Sequence, residues 1–443
     1  MNETTAMTAD AEKNAYTMGE AIAEARRCLH CKVPQCKKGC PVGNDIPDWI
    51  HELSMGNIGN AMSIINARSN LPAVCGRVCA HERQCEGNCV LGKKGAHINI
   101  GRLEQFVADF DTDMHLSRQP IVQKDRGRVA VIGSGPAGLT VAGELARGGF
   151  EVEIFEMEPQ PGGVLTFGIP EYRLPKTVVG SEIAKICQLG VRINTGVTIG
   201  TDITVDSLFE QGFDAIFMGT GAGKPRRLPI EGVDLPGVRQ AIYFLRRVGL
   251  YNAGLIRRRE VPVRDGDRIY VVGCGNTAID AARTALRFGA AQVTIVHHSD
   301  ITRMSALHAE YDEAVAEGVQ FMWNASIKSI RDTGAEAYTV EIEQDGTVFH
   351  TEAHKVILAI GSRPASRIVS TTHGIETDEN GYVLTRERPY GMTTRRGVFA
   401  GGDVSGNQAT VVHAMSNARE VAAGIASYVD ALTLMRQIDE TEA

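Results

Sequence analysis

Residues 128–156 read RVAVIGSGPAGLTVAGELARGGFEVEIFE, and this stretch decides the fold. A short apolar strand, Val129–Ile132, leads into the glycine loop Gly133–Gly138, and a helical pattern then extends to Gly148. A second strand pattern follows at Val152–Phe155. This order of strand, G-x-G-x-x-G loop, helix and strand is the βαβ unit that binds dinucleotides, because its glycines let the backbone approach a pyrophosphate at the helix N-terminus.

The same unit recurs later in the chain. The strand pattern Arg268–Val272 precedes the loop Gly273–Ala278, a helical pattern ends near Phe288, and another strand pattern covers Val293–Val296. A lone glycine loop is a weak signal, but each copy here lies between a strand and a helix. The sequence therefore predicts an α/β chain with two Rossmann-like dinucleotide-binding domains.

The two units differ where their second strands end. Glu156 ends the first, where a carboxylate can bond ribose hydroxyls; a solvated glutamate is the alternative. The second ends in His297-His298, with Asp300 and Arg303 nearby. Histidine is only partly protonated at pH 7, so this pair favours a 2′-phosphate weakly, and histidines that merely end a surface strand are the alternative. We assign FAD to the first loop and NAD(P)H to the second.

A third glycine-rich segment supports the flavin assignment. Gly401-Gly402-Asp403 follows the buried strand pattern Val398–Ala400, and an aspartate there can hold ribityl or phosphate oxygens. The next segment, Ala409–Ala422, is predicted to be helical. Its N-terminus would stabilise negative charge on the flavin's pyrimidine edge.

The cysteines are concentrated near the N-terminus, in a region with helical patterns and no strand pattern. Eight of the ten fall in two sets, which are Cys28, Cys31, Cys36 and Cys40, and Cys75, Cys79, Cys85 and Cys89. Such thiolates suit iron–sulfur clusters or zinc, and free cysteines are the third interpretation. Only Cys28 and Cys31 form a tight pair of the zinc-knuckle kind, and the flavin-type domains downstream favour two [4Fe–4S] clusters.

The remaining cysteines, Cys187 and Cys274, lie too far apart to form the redox pair of a disulfide reductase. No catalytic side chain is predicted, because the cofactors carry the hydride chemistry.

The net charge of −7 predicts no nucleic-acid partner, and the short apolar runs predict no membrane span. The first 14 residues lack a signal-peptide pattern, which makes the cytoplasm the expected location.

These motifs resemble the family of the small (beta) subunit of NADPH-dependent glutamate synthase. Its relatives are the flavin subunit of a ferredoxin:NADP oxidoreductase and the N-terminal half of dihydropyrimidine dehydrogenase. The resemblance covers the chain from Cys28 to about Tyr428. It is carried by the segments Cys28–Cys36, Ile98–Phe106, Pro161–Gly163, Gly168–Pro175, Gly273–Asp280 and Val398–Asp403.

The resemblance implies three domains. They are a helical [4Fe–4S] domain at 1–120, an FAD domain at 128–255 and 355–443, and an NAD(P)H domain at 256–354 inserted in the FAD domain. The apolar run Lys355–Ile360 is thus expected to return to the FAD domain.

The resemblance also implies which residues bind each group. One cluster would be held by Cys28, Cys31, Cys36 and Cys89, and the other by Cys40, Cys79, Cys85 and Gln105. Cys75 would be left over, and Glu104 is the alternative to Gln105. The FAD contacts would be Gly133, Ser134, Gly135, Pro136, Ala137, Gly138, Glu156, Gly163, Leu165, Arg173, Gly402, Asp403 and Thr410. The NAD(P)H contacts would be Gly273, Gly275, Asn276, Thr277, His297, His298 and Arg303.

The expected function is an electron-input subunit that oxidises NAD(P)H and passes single electrons to a large catalytic subunit or a ferredoxin-type acceptor. The family favours NADP(H) over NAD(H), although it often carries Arg-Arg where this chain has His297-His298. A subunit of dihydropyrimidine dehydrogenase or of a ferredoxin:NAD(P) oxidoreductase is the alternative enzyme. A non-catalytic iron–sulfur scaffold is the alternative outside enzymes.

Overall fold

The structure is a computed structural model that describes residues 15–117, 122–365, 367–406 and 409–442. The segment Met1–Asn14, with the expectation about its signal peptide, lies outside the described residues. The chain divides into two compact units. Unit 1 comprises Met1–Thr166, Glu171–Ala222 and Pro364–Ala443, and unit 2 comprises Phe167–Pro170 and Gly223–Arg363.

The helices and strands are numbered here in chain order. The helices are α1 (Met18–Ala25), α2 (Gln35–Gly39), α3 (Ile46–Ser54), α4 (Ile58–Asn66), α5 (Pro72–Val78), α6 (Ile100–Met114), α7 (Pro136–Arg147), α8 (Val164–Phe167), α9 (Lys176–Gln188), α10 (Val205–Glu210), α11 (Ala241–Asn252), α12 (Asn276–Arg287), α13 (His308–Ala316), α14 (Arg367–Thr371) and α15 (Val411–Glu442). The strands are β1 (Arg128–Ile132), β2 (Glu151–Glu156), β3 (Arg192–Thr195), β4 (Ala215–Met218), β5 (Lys224–Pro225), β6 (Val238–Gln240), β7 (Arg268–Val272), β8 (Gln292–Val296), β9 (Gln320–Met322), β10 (Ala325–Ala335), β11 (Ala337–Gln344), β12 (Thr347–Ala353), β13 (Lys355–Leu358), β14 (Ser362–Arg363), β15 (Thr385–Glu387), β16 (Tyr390–Thr393) and β17 (Val398–Ala400).

The N-terminal region is helical, as the sequence predicts. Helix α1 begins with a capping box, in which Thr17 and Glu20 satisfy each other's backbone N–H groups. Helix α3 buries Trp49, Ile50 and Leu53 completely or nearly so, because apolar residues recur at helical spacing on one face. Several cysteines pack against this small core. Of these cysteines Cys85 is buried, and Cys28, Cys36, Cys40 and Cys89 are partly buried.

The main sheet of unit 1 has the order β15-β16-β17-β4-β1-β2-β3. Strands β1, β2, β3, β4 and β17 pair in parallel. Helix α7 connects β1 to β2 and buries ten of its twelve residues. The carboxyl ends of these parallel strands therefore meet at one edge, where ligands bind in doubly wound sheets.

Unit 2 contains a second parallel sheet with the order β6-β13-β7-β8-β9. Strand β13 pairs in parallel with both β6 and β7. The run Lys355–Ile360 is expected in the FAD domain, but the structure places its strand β13 inside this second sheet, between β6 and β7. An apolar run of this length suits a central parallel strand in either sheet, so its pattern alone does not select the sheet.

Unit 2 also carries an antiparallel meander, β10-β11-β12, that the sequence analysis did not anticipate. Its buried residues Ile327, Val340 and Ile342 join the core of this unit.

In unit 1, α15 is longer than predicted, at 32 residues. Within the described ranges, no helix combines the length and the apolar composition needed to cross a bilayer.

Candidate functional site

The first glycine loop has three glycines in three different roles. Gly133 has φ +92°, and a Cβ there would lie 2.7 Å from the carbonyl oxygen of Gly219. Gly138 packs against the carbonyl oxygen of Gly133, which a Cβ would approach to 1.9 Å. Gly135, at the N-cap of α7, has no atom within 4 Å of its Cβ direction. The loop thus has a tight turn, a close helix contact and an open face, as a pyrophosphate site requires.

Glu156 does not end its strand as a solvated side chain, since it is only 4% exposed. Its Oε2 accepts hydrogen bonds from Ser134 N at 2.8 Å and from Ser134 Oγ at 2.5 Å. Its Oε1 accepts one from Glu158 N at 2.8 Å. The carboxylate therefore fixes the glycine loop at the position expected for an adenosine ribose.

A second pair of glycines borders this loop. Gly162 N donates to Ser134 Oγ at 2.9 Å. A Cβ on Gly163, which has φ +54°, would lie 2.9 Å from Gly135 Cα. Two glycine backbones therefore approach each other without side chains between them, which leaves their N–H groups accessible to an anionic ligand.

The Gly402–Asp403 turn completes the candidate flavin site. A Cβ on Gly402, which has φ +73°, would lie 2.9 Å from Ala137 Cβ in the glycine loop. Burial raises the pKa of the Asp403 carboxyl to about 6. Its Oδ1 is buried and has no hydrogen-bond partner among the described residues. A buried acceptor without a hydrogen bond costs free energy, and a ligand hydroxyl would remove that cost. This carboxyl therefore fits the ribityl or ribose hydroxyls of FAD.

The other predicted flavin residues surround this group. Pro136 and Leu165 are buried, Arg173 is half-buried before α9, and Thr410 is exposed just before α15. Thr410 Oγ1 accepts a hydrogen bond from His413 N at 3.3 Å. Thr410 thus stabilises the first turn of α15, as a helix N-cap does.

The second glycine loop repeats the arrangement in unit 2. Gly273 has φ +112° and packs against the carbonyl oxygen of Ala359, which a Cβ would approach to 2.5 Å. Gly275 caps α12, whose first residues are Asn276 and Thr277. Asn276 Oδ1 accepts a hydrogen bond from Leu307 N at 2.9 Å. Asn276 therefore fixes the loop, and the backbone at Gly275 can face a ligand.

The two histidines after β8 have different environments. His297 is only 8% exposed, and its ring lies edge-on to Trp323 at 6.0 Å. Burial lowers the pKa of His297, which disfavours its charged form. His298 is exposed and pairs with Ser299 Oγ at 2.8 Å. The structure thus leaves His298, rather than both histidines, available to a 2′-phosphate.

Two charged residues of opposite sign, Asp300 and Arg303, follow the histidines in the sequence. Hydrogen bonds from the side chain and backbone N–H of Thr302 lower the pKa of Asp300, which caps the short turn Ile301–Arg303. Arg303 is the last residue of that turn and is exposed. A cation is therefore present near His298, although the anionic Asp300 lies between them in sequence.

Four cysteines from both sequence sets line one cavity. Its walls carry Cys28, Cys31, Cys36 and Cys89 among apolar residues such as Ile46, Ile50, Leu91, Ile98 and Ile100. Burial raises the pKa of Cys36 to about 11 and also raises that of Cys28. Thiols that line one apolar cavity are the ligand type that a soft metal centre prefers, and binding of such a centre would release their protons.

A second group forms around Cys40, Cys79 and Cys85, whose charges interact with that of Glu104. Burial raises the pKa of Cys40 to about 11 and that of Cys85 well above its ordinary value. Burial also raises the pKa of Glu104 to about 8. Gln105 follows on α6, where its backbone packs against Gly76. Three thiols and one oxygen-bearing side chain of α6 are therefore available to a second centre.

Cys75 lies beside this second group. Its side chain, more than burial, raises the pKa of Cys79 well above the ordinary value. Its Sγ also lies 3.7 Å from Met415 Sδ on α15 and 3.8 Å from Ser69 Oγ. Cys75 thus contacts Cys79 of the second group and also has partners outside that group.

The sequence analysis missed two residues that shape the flavin site. Gly219, directly after β4, packs against the tight turn at Gly133. Asn417 Oδ1 accepts a hydrogen bond from Gly402 N at 2.8 Å. The glycine-rich segment after a buried strand was a usable signal for Gly219, whereas nothing in the sequence pattern singles out Asn417.

Two family profiles match the chain. Residues 5–116 match the dihydropyrimidine dehydrogenase domain II, 4Fe-4S cluster. Residues 127–418 match the pyridine nucleotide-disulphide oxidoreductase family. The two profiles thus cover the helical region and the two dinucleotide-binding units separately.

Curated relatives match over nearly their whole length. The glutamate synthase (NADPH) small chain of Halomonas elongata is 37% identical, over 94% of this chain and 92% of the relative. The corresponding chain of Escherichia coli K12 is 33% identical, over 94% and 93%. Among solved structures, a thioredoxin reductase of Lactococcus lactis matches with a TM-score of 0.53 and 25% identity, over 68% of this chain and 99% of that one.

Proposed function

The chain belongs to the family of the glutamate synthase (NADPH) small chain, and we propose on this basis that it is an electron-input subunit, which oxidises NAD(P)H and delivers the electrons to a partner protein. FAD, when bound, converts a transferred hydride into single electrons, and iron–sulfur clusters conduct them. The side chains bind, orient and shield these groups.

The observation that carries this proposal is the position of α15 within unit 1. On one side, Asn417 holds Gly402 of the candidate flavin turn. On the other, Met415 contacts Cys75, and Ser416 Oγ donates to Pro41 O at 2.7 Å, next to Cys40. The same helical turns therefore connect the candidate flavin site to the second cysteine group, which is the arrangement that electron transfer between them needs.

Each part of the chain has a defined task in this proposal. Gly135 and Gly163 present bare backbone to the pyrophosphate, while Glu156 and Asp403 accept hydrogen bonds from hydroxyls. The apolar walls around Cys28 and Cys36 exclude water from the first centre. The resemblance assigns Gln105 as the fourth ligand of the second centre, and the buried Glu104 is the alternative.

The proposal is tested by the metal content and the electron acceptors. Anaerobically purified protein is expected to contain FAD, about eight irons and about eight acid-labile sulfides per chain, as two [4Fe–4S] clusters require. It should reduce ferricyanide with NADPH in the absence of any partner. Zinc without sulfide would remove the electron-transfer role, and FAD without NAD(P)H oxidation would contradict the enzyme assignment.

The preference for NADPH is a finer proposal that rests on His298 and Arg303. His298→Arg should lower the KM for NADPH by about tenfold, because arginine stays charged and binds phosphate bidentately. The KM for NADH should not change, since NADH lacks the 2′-phosphate. Flavin reduction measured with each nucleotide is the test, and an equal effect on both nucleotides would contradict the assignment.

His297→Arg provides the matched comparison for the same reaction. Because His297 is buried against Trp323, a charge there should lower thermal stability instead of improving NADPH binding. An improvement in NADPH binding without loss of stability would show that His297, and not His298, faces the phosphate.

A further inference from the structure

A basic groove in unit 1 lies beside helix α2, which contains Cys36 and ends next to Cys40. Its volume is about 590 Å³, and it is lined by Pro34, Lys37, Lys38, Cys40, Pro41, Val42, Gly43, Arg68, Ser416, Arg419 and Glu420. Four of these residues are cations and one is an anion. The groove therefore concentrates positive charge on a chain whose net charge is −7.

The charges lining this groove are incompletely compensated. Lys37 and Arg68 share one carboxylate, that of Asp45. Lys38 is exposed and makes no ion pair with any residue that the structure describes. The only acidic lining residue, Glu420, interacts with the Tyr390 hydroxyl. The remaining positive charge is thus available to an external anion.

Arg419 is the second cation with an open donor. Its Nη2 donates to Ala67 O at 3.1 Å and lies 3.9 Å from Glu144 Oε2. Its Nη1 is buried and has no hydrogen-bond partner among the described residues. A buried guanidinium nitrogen without an acceptor leaves the charge of Arg419 incompletely compensated.

The sequence around the groove also has more cationic than acidic residues. Residues 25–44 contain Arg26, Arg27, Lys32, Lys37 and Lys38 but no aspartate or glutamate. The groove also has apolar walls between its cations, formed by Pro34, Pro41 and Val42. This mixture suits a peptide segment that carries both carboxylates and apolar side chains better than it suits an isolated small anion.

We propose that this groove is the docking site for an acidic segment of the protein that accepts electrons from this chain. The proposal rests on the proposed function, because the groove is adjacent to both cysteine groups through Cys36 and Cys40. Complementary charge would orient the acceptor next to helix α2 and these two cysteines, and would speed its association.

The test uses the full chain with its metal centres and a short fluorescent peptide in which glutamate and leucine alternate. A counterpart with glutamine in place of glutamate measures binding that does not depend on charge. Lys38→Glu should weaken binding of the acidic peptide at least about tenfold in low salt, since it replaces a charge-assisted contact with repulsion. Lys94→Glu, which makes the same charge change outside the groove, should leave binding within about twofold.

Three results would overturn the proposal. They are no binding of the acidic peptide to the unmodified chain in low salt, equal weakening by Lys38→Glu and Lys94→Glu, and equal binding of the glutamine counterpart. Displacement of the peptide by millimolar inorganic phosphate would instead identify a small-anion site and would also overturn it. NADPH-dependent reduction of ferricyanide by the same variants is measured in parallel, so failure of the docking site is distinguishable from failure of the proposed function.

Discussion

Gly135→Val is expected to yield a folded protein that is nearly free of FAD. The Cβ direction of Gly135 points into open space, and its φ of −69° is one that valine readily adopts. The substitution should therefore lower the stability of the ligand-free protein only slightly. It places a branched side chain where the pyrophosphate must contact the backbone N–H groups at the N-terminus of α7.

The expected loss of FAD is large. Blocking two charge-assisted hydrogen bonds, each contributing about 1.5–3 kcal/mol, should weaken FAD binding at least about a hundredfold. Flavin absorbance per chain after gel filtration measures this directly, and the iron content of the same sample should stay unchanged. Full FAD occupancy in Gly135→Val would show that the first loop is not the flavin site.

Two other glycines provide controls with different outcomes. Gly138→Val should fail to fold, because even a Cβ would come within 1.9 Å of the Gly133 carbonyl oxygen. Gly275→Val should keep its FAD and lose binding of the nicotinamide nucleotide, since Gly275 belongs to the second loop. Loss of FAD in Gly275→Val as well would mean that the two loops cannot be assigned separately.

The sequence predicted the parts of the fold that depend on local pattern. Both glycine loops lie between a strand and a helix, because turn chemistry and strand periodicity are encoded within about 30 residues. The cysteines that the resemblance grouped, Cys28, Cys31, Cys36 and Cys89, line one cavity in the structure. This last assignment came from the family resemblance, since spacing alone did not pair Cys89 with the first set.

Features that depend on long-range packing were not predictable in this way. The sheet that β13 joins is decided by its neighbours β6 and β7, and its apolar sequence suits either sheet. The basic groove forms because Arg419 and Lys37, which are far apart in the chain, line the same pocket. By contrast, the different exposure of His297 and His298 could have been anticipated, because adjacent residues at a strand end point to opposite faces.

The second large effect is expected from cysteine variants of the second group. Cys79→Ser should lose one of two clusters, which lowers the iron content from about eight to about four per chain, because serine is a poor ligand for a soft iron–sulfur centre. Cys75→Ser should keep both clusters. Iron and sulfide analysis, together with the electron paramagnetic resonance spectrum of the reduced protein, distinguishes the two outcomes.

The pair is informative because the two cysteines lie one helical turn apart and differ mainly in their partners. Their side chains interact with each other, but Cys75 Sγ also contacts Met415 Sδ on α15 and Ser69 Oγ, whereas Cys79 also interacts with the charges of Glu104 and Cys85. Loss of a cluster from Cys75→Ser but not from Cys79→Ser would exchange their roles. In that case the second centre would be bound closer to Met415, and hence closer to the helix that holds the flavin turn through Asn417.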